Sequence, residues 1–194
     1  PALSEYYTQL GQHTALYQTY QHLHDRSEFS SLSAAQQSAI KLGLRDFKLS
    51  GVALEGAAKQ RYAEISARLS QLASDFSNHV LDATQAYFKP LTEAQLKGLP
   101  DSSIALLKQY GQQRELEQPV ATLDFPSYLA IMTYAQDRAL REELYKAYTT
   151  RASEQSEHTE FDNSEIMQEI LSLRQEMAQL LGFENFAAYS LASK

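Results

Sequence analysis

The 194-residue chain contains no cysteine, and this absence excludes both disulfide bonds and metal sites built on thiolates. A chain without disulfides depends on its packed core, and at this length roughly 70% of the unfolded surface can be buried. The sequence shows no signal peptide. Because a cysteine-free chain is compatible with a reducing compartment, we expect a cytoplasmic protein.

Glycine and proline are scarce, with seven and five residues respectively. So few turn-forming residues argue against an all-β chain with many loops. Glutamine, alanine, leucine, serine and glutamate are plentiful, and they are residues that helices accept well. The composition therefore predicts a mainly helical protein.

Long apolar runs and clusters of basic residues are also missing. No apolar run approaches the roughly 20 residues that a membrane-spanning helix needs. The net charge is −7, and the 17 lysines and arginines are dispersed along the chain. Nucleic acid, which selects proteins with a basic surface stripe, is not an expected partner, and neither is a membrane.

Apolar residues recur every three or four positions through most of the chain, which is the spacing of an amphipathic helix. Several helices also have recognisable end signals. The predicted N-terminal caps are Ser33 (with Gln36 as a capping box), Asp137 and Asp162 (with Glu165). Gly182 is predicted to end the helix that follows Asp162. The predicted helices cover about 3–26, 33–51, 55–86, a short segment from 92, 101–117, 126–135, 138–151, 163–181 and 184 onward.

Two short stretches depart from this helical spacing, AYFKPL (86–91) and PVATLDF (119–125). Each contains a proline and β-branched or aromatic residues, so we predict that they form a small antiparallel β pair. No linker rich in proline, glycine or serine divides the chain. The predicted fold is an elongated multi-helix bundle with one antiparallel β pair, forming a single domain over residues 1–194.

The histidines do not form a zinc-protease motif. None is followed by glutamate and no two are four residues apart, so the two-histidine helix motif with a glutamate base is absent. His13 is expected to pack on the apolar face of the first helix. His22 and His24 would point in different directions on a helix. The five histidines are His13, His22, His24, His79 and His158.

The remaining acid and histidine combinations also have simple structural interpretations. His24 and Glu28 would face each other only if their helix continued that far, and a solvated helix end is the expected arrangement. His158 lies in a polar loop beside Glu157 and Glu160, where acid–base chemistry is conceivable but a mobile loop is expected. The di-iron, serine-hydrolase, dinucleotide and P-loop patterns are absent. We therefore predict no catalytic, cofactor-binding or metal-binding residue in this chain.

Several irregular strings resemble the bacterial branch of the thimet oligopeptidase family, and they occur in the family's order. The resemblance covers essentially the whole chain, and it is specific because separate strings match together. The matching strings are LRDFKLSGVAL, RYAEISARLSQLASDFSNHVLDAT, TLDFPSYLAIMTYA, ALREELYKAYTTRASE and DNSEIMQEILSLRQEMAQLLGFENFAAYSLASK.

This resemblance implies a largely helical portion of a zinc metallopeptidase that cleaves short peptides in a deep channel between two lobes. The family's zinc motif, His-Glu-Phe-Gly-His, and its further glutamate ligand have no counterpart here. The resemblance therefore implies a non-catalytic N-terminal-side portion that forms part of the channel wall. Its implied partners are the catalytic lobe of the same enzyme and short peptides. A homodimer through an exposed apolar face is a further expectation.

Four residues in the best-matching strings are candidates for lining the channel: Tyr145, Tyr148, Arg151 and Asn163. For each of them, packing within the protein is the simpler expectation. A second interpretation of the whole chain also stays open. The residues alone permit a stand-alone helical interaction protein that has no enzymatic activity.

Overall fold

The computed structural model describes residues 2–194, and this part of the chain is mainly helical with one two-stranded sheet. The predicted fold class is confirmed. Short 3₁₀ turns lie at Ser27–Ser31, Glu93–Leu96 and Thr159–Phe161. The helices are α1 (Ala2–Gly11), α2 (Thr14–Asp25), α3 (Ala34–Leu49), α4 (Gly56–Ala86), α5 (Asp101–Gln112), α6 (Phe125–Tyr134), α7 (Arg138–Thr150), α8 (Ser164–Leu180) and α9 (Phe186–Leu191).

The two predicted strands pair as expected. Strands β1 (Phe88–Pro90) and β2 (Val120–Thr122) are antiparallel, with Lys89 opposite Ala121. The Leu91 amide donates to the carbonyl of Pro119 at 2.8 Å, which continues the pairing beyond the strand ends. Because Pro119 has no N–H, it cannot return this bond to Leu91, and the ladder ends there.

Most predicted helix ends are confirmed by hydrogen bonds. Ser33 and Gln36 form the capping box of α3. The Asp137 carboxylate accepts from the first amides of α7 at 2.9 and 3.1 Å. After α8, Gly182 adopts φ +81°, and the amide of Phe183 donates to the carbonyl of Ala178 at 2.9 Å. This is the Schellman arrangement, which satisfies the free carbonyls of the last turn.

The prediction of one continuous first helix is wrong. The chain breaks between α1 and α2, where His13 leaves the helical region with φ −78° and ψ 93°. The His13 imidazole Nδ1 accepts from the Leu16 amide at 3.1 Å and so caps α2. His13 is exposed in this position, so the expectation that it packs on an apolar face is also wrong.

Two other predicted boundaries shift. Helix α5 ends at Gln112 because the chain turns back there: the Leu116 amide donates to the carbonyl of Gly111 at 3.0 Å, and Glu115 has φ +57°. Helix α8 begins at Ser164, whose amide donates to the Asp162 carboxylate at 2.9 Å. Asp162 therefore supports the first turn from one position earlier than the usual cap.

The described chain forms two compact units. The first contains the residues up to Ser74 together with Met167–Lys194, and the second contains Asp75–Ile166. Helices α4 and α8 contribute residues to both units. The expected single domain over 1–194 therefore stays a prediction.

In the first unit, helices α2 and α3 pack through aromatic rings. The rings of Tyr17 and Tyr20 meet the edge of Phe47 at centroid distances of 5.9 and 5.6 Å. The sequence predicts an apolar stripe on α8, in which Leu173 and Met177 are buried and Ile166, Ile170 and Leu180 are half-buried. A helix with a one-sided apolar face of this kind needs neighbours to pack against.

The second unit has its own apolar core, built by α5, α6, α7 and the two strands. Burial of these side chains is its main source of stability, at roughly 25 cal/mol per Å² of apolar surface. The Ser127 hydroxyl accepts from the amide of Thr122 at 3.0 Å, which ties the start of α6 to β2. The buried core residues are Leu91, Leu99, Leu107, Ala121, Leu123, Ile131, Ala135, Leu140 and Leu144.

None of the helices formed by residues 2–194 combines the length and the apolarity needed to cross a lipid bilayer.

Helices α4 and α8 are joined in the first unit by two ion pairs of the same geometry. Arg61 bonds both carboxylate oxygens of Glu176 at 2.6 and 2.8 Å, and Arg68 bonds both oxygens of Glu169 at 2.6 and 2.7 Å. The two arginines are seven residues apart, as are the two glutamates, so the pairs occupy successive positions along both helices. All four side chains are partly exposed, and pairs of this kind contribute little individually.

The Arg68–Glu169 pair is expected to make stability fall on acidification. Hydrogen bonds from Arg68 hold the pKa of Glu169 below its usual value, so the folded state binds a proton there less tightly than the unfolded state. Its contribution is present above the usual glutamate pKa of about 4.3 and is lost as pH falls through the lowered pKa. In urea unfolding, Arg68→Gln should lower the midpoint more at pH 7 than at pH 3. An equal loss at both pH values would contradict this assignment.

Candidate functional site

The second unit contains a cavity of about 230 Å³ that is lined by charged side chains. The cavity lies beside α7 and the segment that follows it, and the end of α4 contributes to its wall. We call it the Arg151 cavity. The charged and polar residues that matter most in its wall are Tyr87, Glu143, Arg151, Glu157 and His158.

Arg151 is positioned by the end of α7. The helix ends at Thr150, and Arg151 follows with φ −57° and ψ 144°. Its guanidinium Nη1 donates to the carbonyl of Tyr148 at 2.6 Å, and the guanidinium carbon lies 3.8 Å from the centre of the Tyr148 ring. Tyr148 in turn stacks on Tyr128 from α6, with ring centres 4.0 Å apart and planes 16° apart. The arginine is therefore held by a cation–π contact on a two-ring stack.

Most N–H groups of the Arg151 guanidinium have no acceptor in the described part of the chain. An arginine side chain carries five N–H groups, and here a single one has an acceptor among residues 2–194. Its Nε is buried and has no hydrogen-bond partner in the described structure. No carboxylate in the described chain forms an ion pair with Arg151. Burying a donor without an acceptor costs free energy, so this guanidinium is suited to bind an anionic or carbonyl ligand.

Two glutamates, Glu143 and Glu157, contribute carboxylates to the wall of the cavity. Glu143 is held by Lys89 from β1, whose ammonium lies 2.8 Å from each carboxylate oxygen. The Tyr87 hydroxyl donates to the same carboxylate at 3.4 Å. Burial, followed by the charge of Glu143, raises the pKa of Tyr87, so this hydroxyl stays protonated as a donor. The exposed Glu157 has no hydrogen bond or ion pair to any of residues 2–194.

His158 lines the same cavity, in the loop before α8. Its Nδ1 lies 3.4 Å from a carboxylate oxygen of Glu160, and its ring centre lies 6.2 Å from that of Phe161. The polar loop noted in the sequence therefore contributes a wall of the cavity. Whether this loop is mobile stays a prediction.

Of the four candidate channel-lining residues, the structure brings Tyr148 and Arg151 together. Asn163 is 1% exposed, and its side chain bonds the Phe76 carbonyl at 3.1 Å and the Nδ1 of His79 at 3.0 Å. Asn163 therefore packs within the protein, which was the simpler expectation for each of the four candidates. Tyr145 is 53% exposed on α7.

The histidines and acids do not fit the zinc ion that the resemblance implies. Nowhere in residues 2–194 do three or more histidine, cysteine, aspartate or glutamate side chains converge as metal ligands. His79 is engaged with Asn163, and His24 pairs with Asp25 at 3.0 Å instead of reaching Glu28.

Sequence reasoning missed four contributors to the site: Tyr87, Tyr128, Lys89 and Glu143. Tyr128 and Tyr148 are 20 positions apart, and they meet because α6 and α7 pack against each other. Lys89 reaches Glu143 from a strand in another part of the chain. Tyr128 carried one usable signal, since aromatic residues on neighbouring helices often stack.

Comparison with known proteins identifies two family matches. Residues 1–59 match the family described as Neurolysin/Thimet oligopeptidase, N-terminal domain, and residues 131–194 match Peptidase family M3. The resemblance seen in the sequence is therefore confirmed.

Individual relatives match along the entire chain. Oligopeptidase A of Escherichia coli (strain K12) is 52% identical over 196 residues, covering 100% of this chain and 29% of that protein. From Arabidopsis thaliana, a probable cytosolic oligopeptidase A is 37% identical and covers 100% of this chain and 28% of the relative. An organellar, chloroplastic/mitochondrial oligopeptidase A from the same plant is 36% identical, and the match covers 100% of this chain and 25% of that relative. The chain thus spans less than a third of the length of these relatives.

Proposed function

From its established similarity to the thimet oligopeptidase family, we propose that this chain is a non-catalytic portion of a zinc metalloendopeptidase that hydrolyses short peptides. The single observation that carries this proposal is the match to oligopeptidase A along 100% of the chain at 52% identity. Zinc and the water that it activates would be held by residues outside this sequence. Within the sequence we assign no catalytic, cofactor-binding or metal-binding residue.

The proposed role of this portion is to form part of the wall of a peptide channel. Two features support it. The Arg151 cavity offers unsatisfied donors to a polar ligand. In addition, α6 and α7 carry large apolar side chains that remain exposed, among them Phe125, Leu129 and Tyr145. Phe125 and Leu129 are four residues apart and share one face of α6, and clusters of exposed apolar side chains are typical of surfaces that bind peptides or another part of a protein.

We further infer that the proposed partners are the catalytic lobe of the same polypeptide and short peptides. A homodimer through the exposed apolar side chains is the alternative assembly. A stand-alone helical interaction protein remains the second proposal for the chain as a whole. The exposed apolar side chains fit a peptidase portion and an interaction protein equally well. A measurement of peptidase activity therefore separates the two proposals, whereas the composition of the surface does not.

A hydrolysis assay separates the two functions. A polypeptide that continues this sequence through a His-Glu-x-x-His segment is expected to cleave a fluorogenic short peptide, and a chelator should abolish the cleavage. The purified 194-residue chain should show no cleavage above buffer and should bind no stoichiometric zinc. Chelator-sensitive cleavage by this chain would overturn the assignment of the catalytic residues to the remainder. A reading frame that stops directly after Lys194 would favour the interaction protein.

A cytoplasmic location is also proposed. It is supported by the absence of cysteine and by similarity to a relative from Arabidopsis thaliana that is named as probably cytosolic. Because a second relative from the same plant is named as organellar, similarity does not decide the compartment. Fractionation of the source cells, with detection of this chain by antibody, tests the location directly.

A further inference from the structure

We propose that the Arg151 cavity binds the C-terminal carboxylate of a short peptide. The choice of a peptide as the ligand rests on the proposed function, whereas the choice of a carboxylate rests on the geometry of the cavity. The site is formed within the second unit, by α7, the loop after it and the end of α4.

The first step is the state of the guanidinium. Arg151 carries a permanent positive charge, is half-buried, and has no acidic partner among residues 2–194. Its one described acceptor is a neutral backbone carbonyl, that of Tyr148. Arginines in such positions are normally paired, because a desolvated charge without a counter-ion is unfavourable. A carboxylate is the partner whose planar geometry matches the arginine fork.

The second step is rigidity. Arg151 lies against the Tyr148 ring at 3.8 Å, and Tyr128 supports that ring from the other helix. A side chain held in this way has already lost most of its rotamer freedom. Less entropy is therefore lost when a ligand binds, which is the energetic advantage of a preorganised site.

The third step concerns the size and charge of the ligand. A cavity of about 230 Å³ is larger than one water molecule requires and smaller than the roughly 300–1,000 Å³ pockets of drug-sized ligands. It suits the last one or two residues of a peptide. Glu143 and Lys146 in its wall are paired with Lys89 and Glu142 respectively, so the charge of Glu157 remains and disfavours a multiply charged anion such as phosphate.

The fourth step is a role for Glu157. Glu143 is neutralised by Lys89, whereas Glu157 has no hydrogen-bond or ion-pair partner in the described part of the chain. An ammonium group is the natural partner for this carboxylate. A very short peptide with both termini free would present its carboxylate to Arg151 and its ammonium to Glu157. The cavity should therefore prefer dipeptides with two free ends.

The experiment is a titration of the ¹⁵N-labelled 194-residue chain with Ala-Ala, followed by ¹H–¹⁵N correlation spectra. Ala-Ala should shift the amide signals of residues around the cavity, including Arg151 and Glu157. The C-terminal amide of Ala-Ala should bind at least about tenfold more weakly, because it cannot form the charge-assisted pair. N-acetyl-Ala-Ala should bind more weakly than Ala-Ala but more tightly than the amide.

Variants of Arg151 and Glu157 test the same two contacts from the side of the protein. Arg151→Gln should weaken Ala-Ala binding by about tenfold or more, and Arg151→Lys should weaken it less because it keeps the charge and loses the fork. Arg138→Gln is the matched control, since Arg138 is exposed at the start of α7, the helix that precedes Arg151, and does not line the cavity. Glu157→Gln should remove the preference for a free ammonium. Circular dichroism of each variant verifies that the helices are retained.

Three outcomes would overturn the proposal: no binding of Ala-Ala, equal binding of the acid and the amide, or equal loss in the Arg151 and Arg138 variants. The acid–amide comparison needs no variant, so it decides the proposal even if Arg151→Gln fails to fold. The binding result is independent of the hydrolysis assay. If the chain binds Ala-Ala but does not belong to an active peptidase, the carboxylate site stands and the proposed function fails. If the chain belongs to an active peptidase but does not bind Ala-Ala, the proposed function stands and the carboxylate site fails.

Discussion

Leu144→Ala is expected to lower the free energy of unfolding by about 2–5 kcal/mol, the range found for large-to-small changes in a packed core. Leu144 is 0% exposed and belongs to the core of the second unit. Removing its side chain leaves a cavity beneath α7, which is the helix that carries Tyr148 and directly precedes Arg151. Urea unfolding followed by circular dichroism measures the change.

The matched control is Leu129→Ala on α6. Leu129 is 49% exposed, so the same chemical change should cost less than about 1 kcal/mol. The two variants differ in burial and not in the atoms removed. Equal losses would show that burial of Leu144 does not support the second unit as described.

Asn163→Leu is expected to cost about 2–4 kcal/mol, although leucine is more apolar and the site is buried. The Asn163 amide donates to the Phe76 carbonyl, and its oxygen contacts the Nδ1 of His79. Leucine can do neither, so the half-buried His79 nitrogen is left without its partner. The loss should be visible in thermal and urea unfolding.

An exposed asparagine provides the comparison. Asn78 lies on α4 next to His79 and faces solvent, so Asn78→Leu should change stability by no more than about 0.5 kcal/mol. If Asn163→Leu also falls within that range, the hydrogen bonds around Asn163 are not important for stability. A role at the channel surface would then regain support.

Much of the secondary structure follows from local sequence. Ser33, Asp137 and Gly182 act at helix ends because their side-chain oxygens, or the lack of a Cβ, solve a local hydrogen-bonding problem. The long α4 helix follows from apolar spacing sustained over its 31 residues, roughly 8.6 turns at 3.6 residues a turn. Neighbouring residues are enough to specify features of this kind.

The break between α1 and α2 did not follow from the pattern. Apolar spacing continues across Gly11 and His13, and helical periodicity cannot show that an imidazole will cap the next helix. The shortened α5 has a similar cause, because the turn after Gln112 brings Leu116 back to Gly111. In both places a local hydrogen bond competed with helix propagation and prevailed.

The sequence was sufficient for the mainly helical class, the β pair, the family resemblance and the absence of a zinc-protease motif, because these depend on residue types and short spacings. It was not sufficient for the Arg151 cavity. That site exists because α6 places Tyr128 under Tyr148, β1 places Lys89 against Glu143, and no acid among residues 2–194 pairs with the Arg151 guanidinium. Such relations join residues that are distant in sequence, and packing of the second unit is what brings them within a few ångströms.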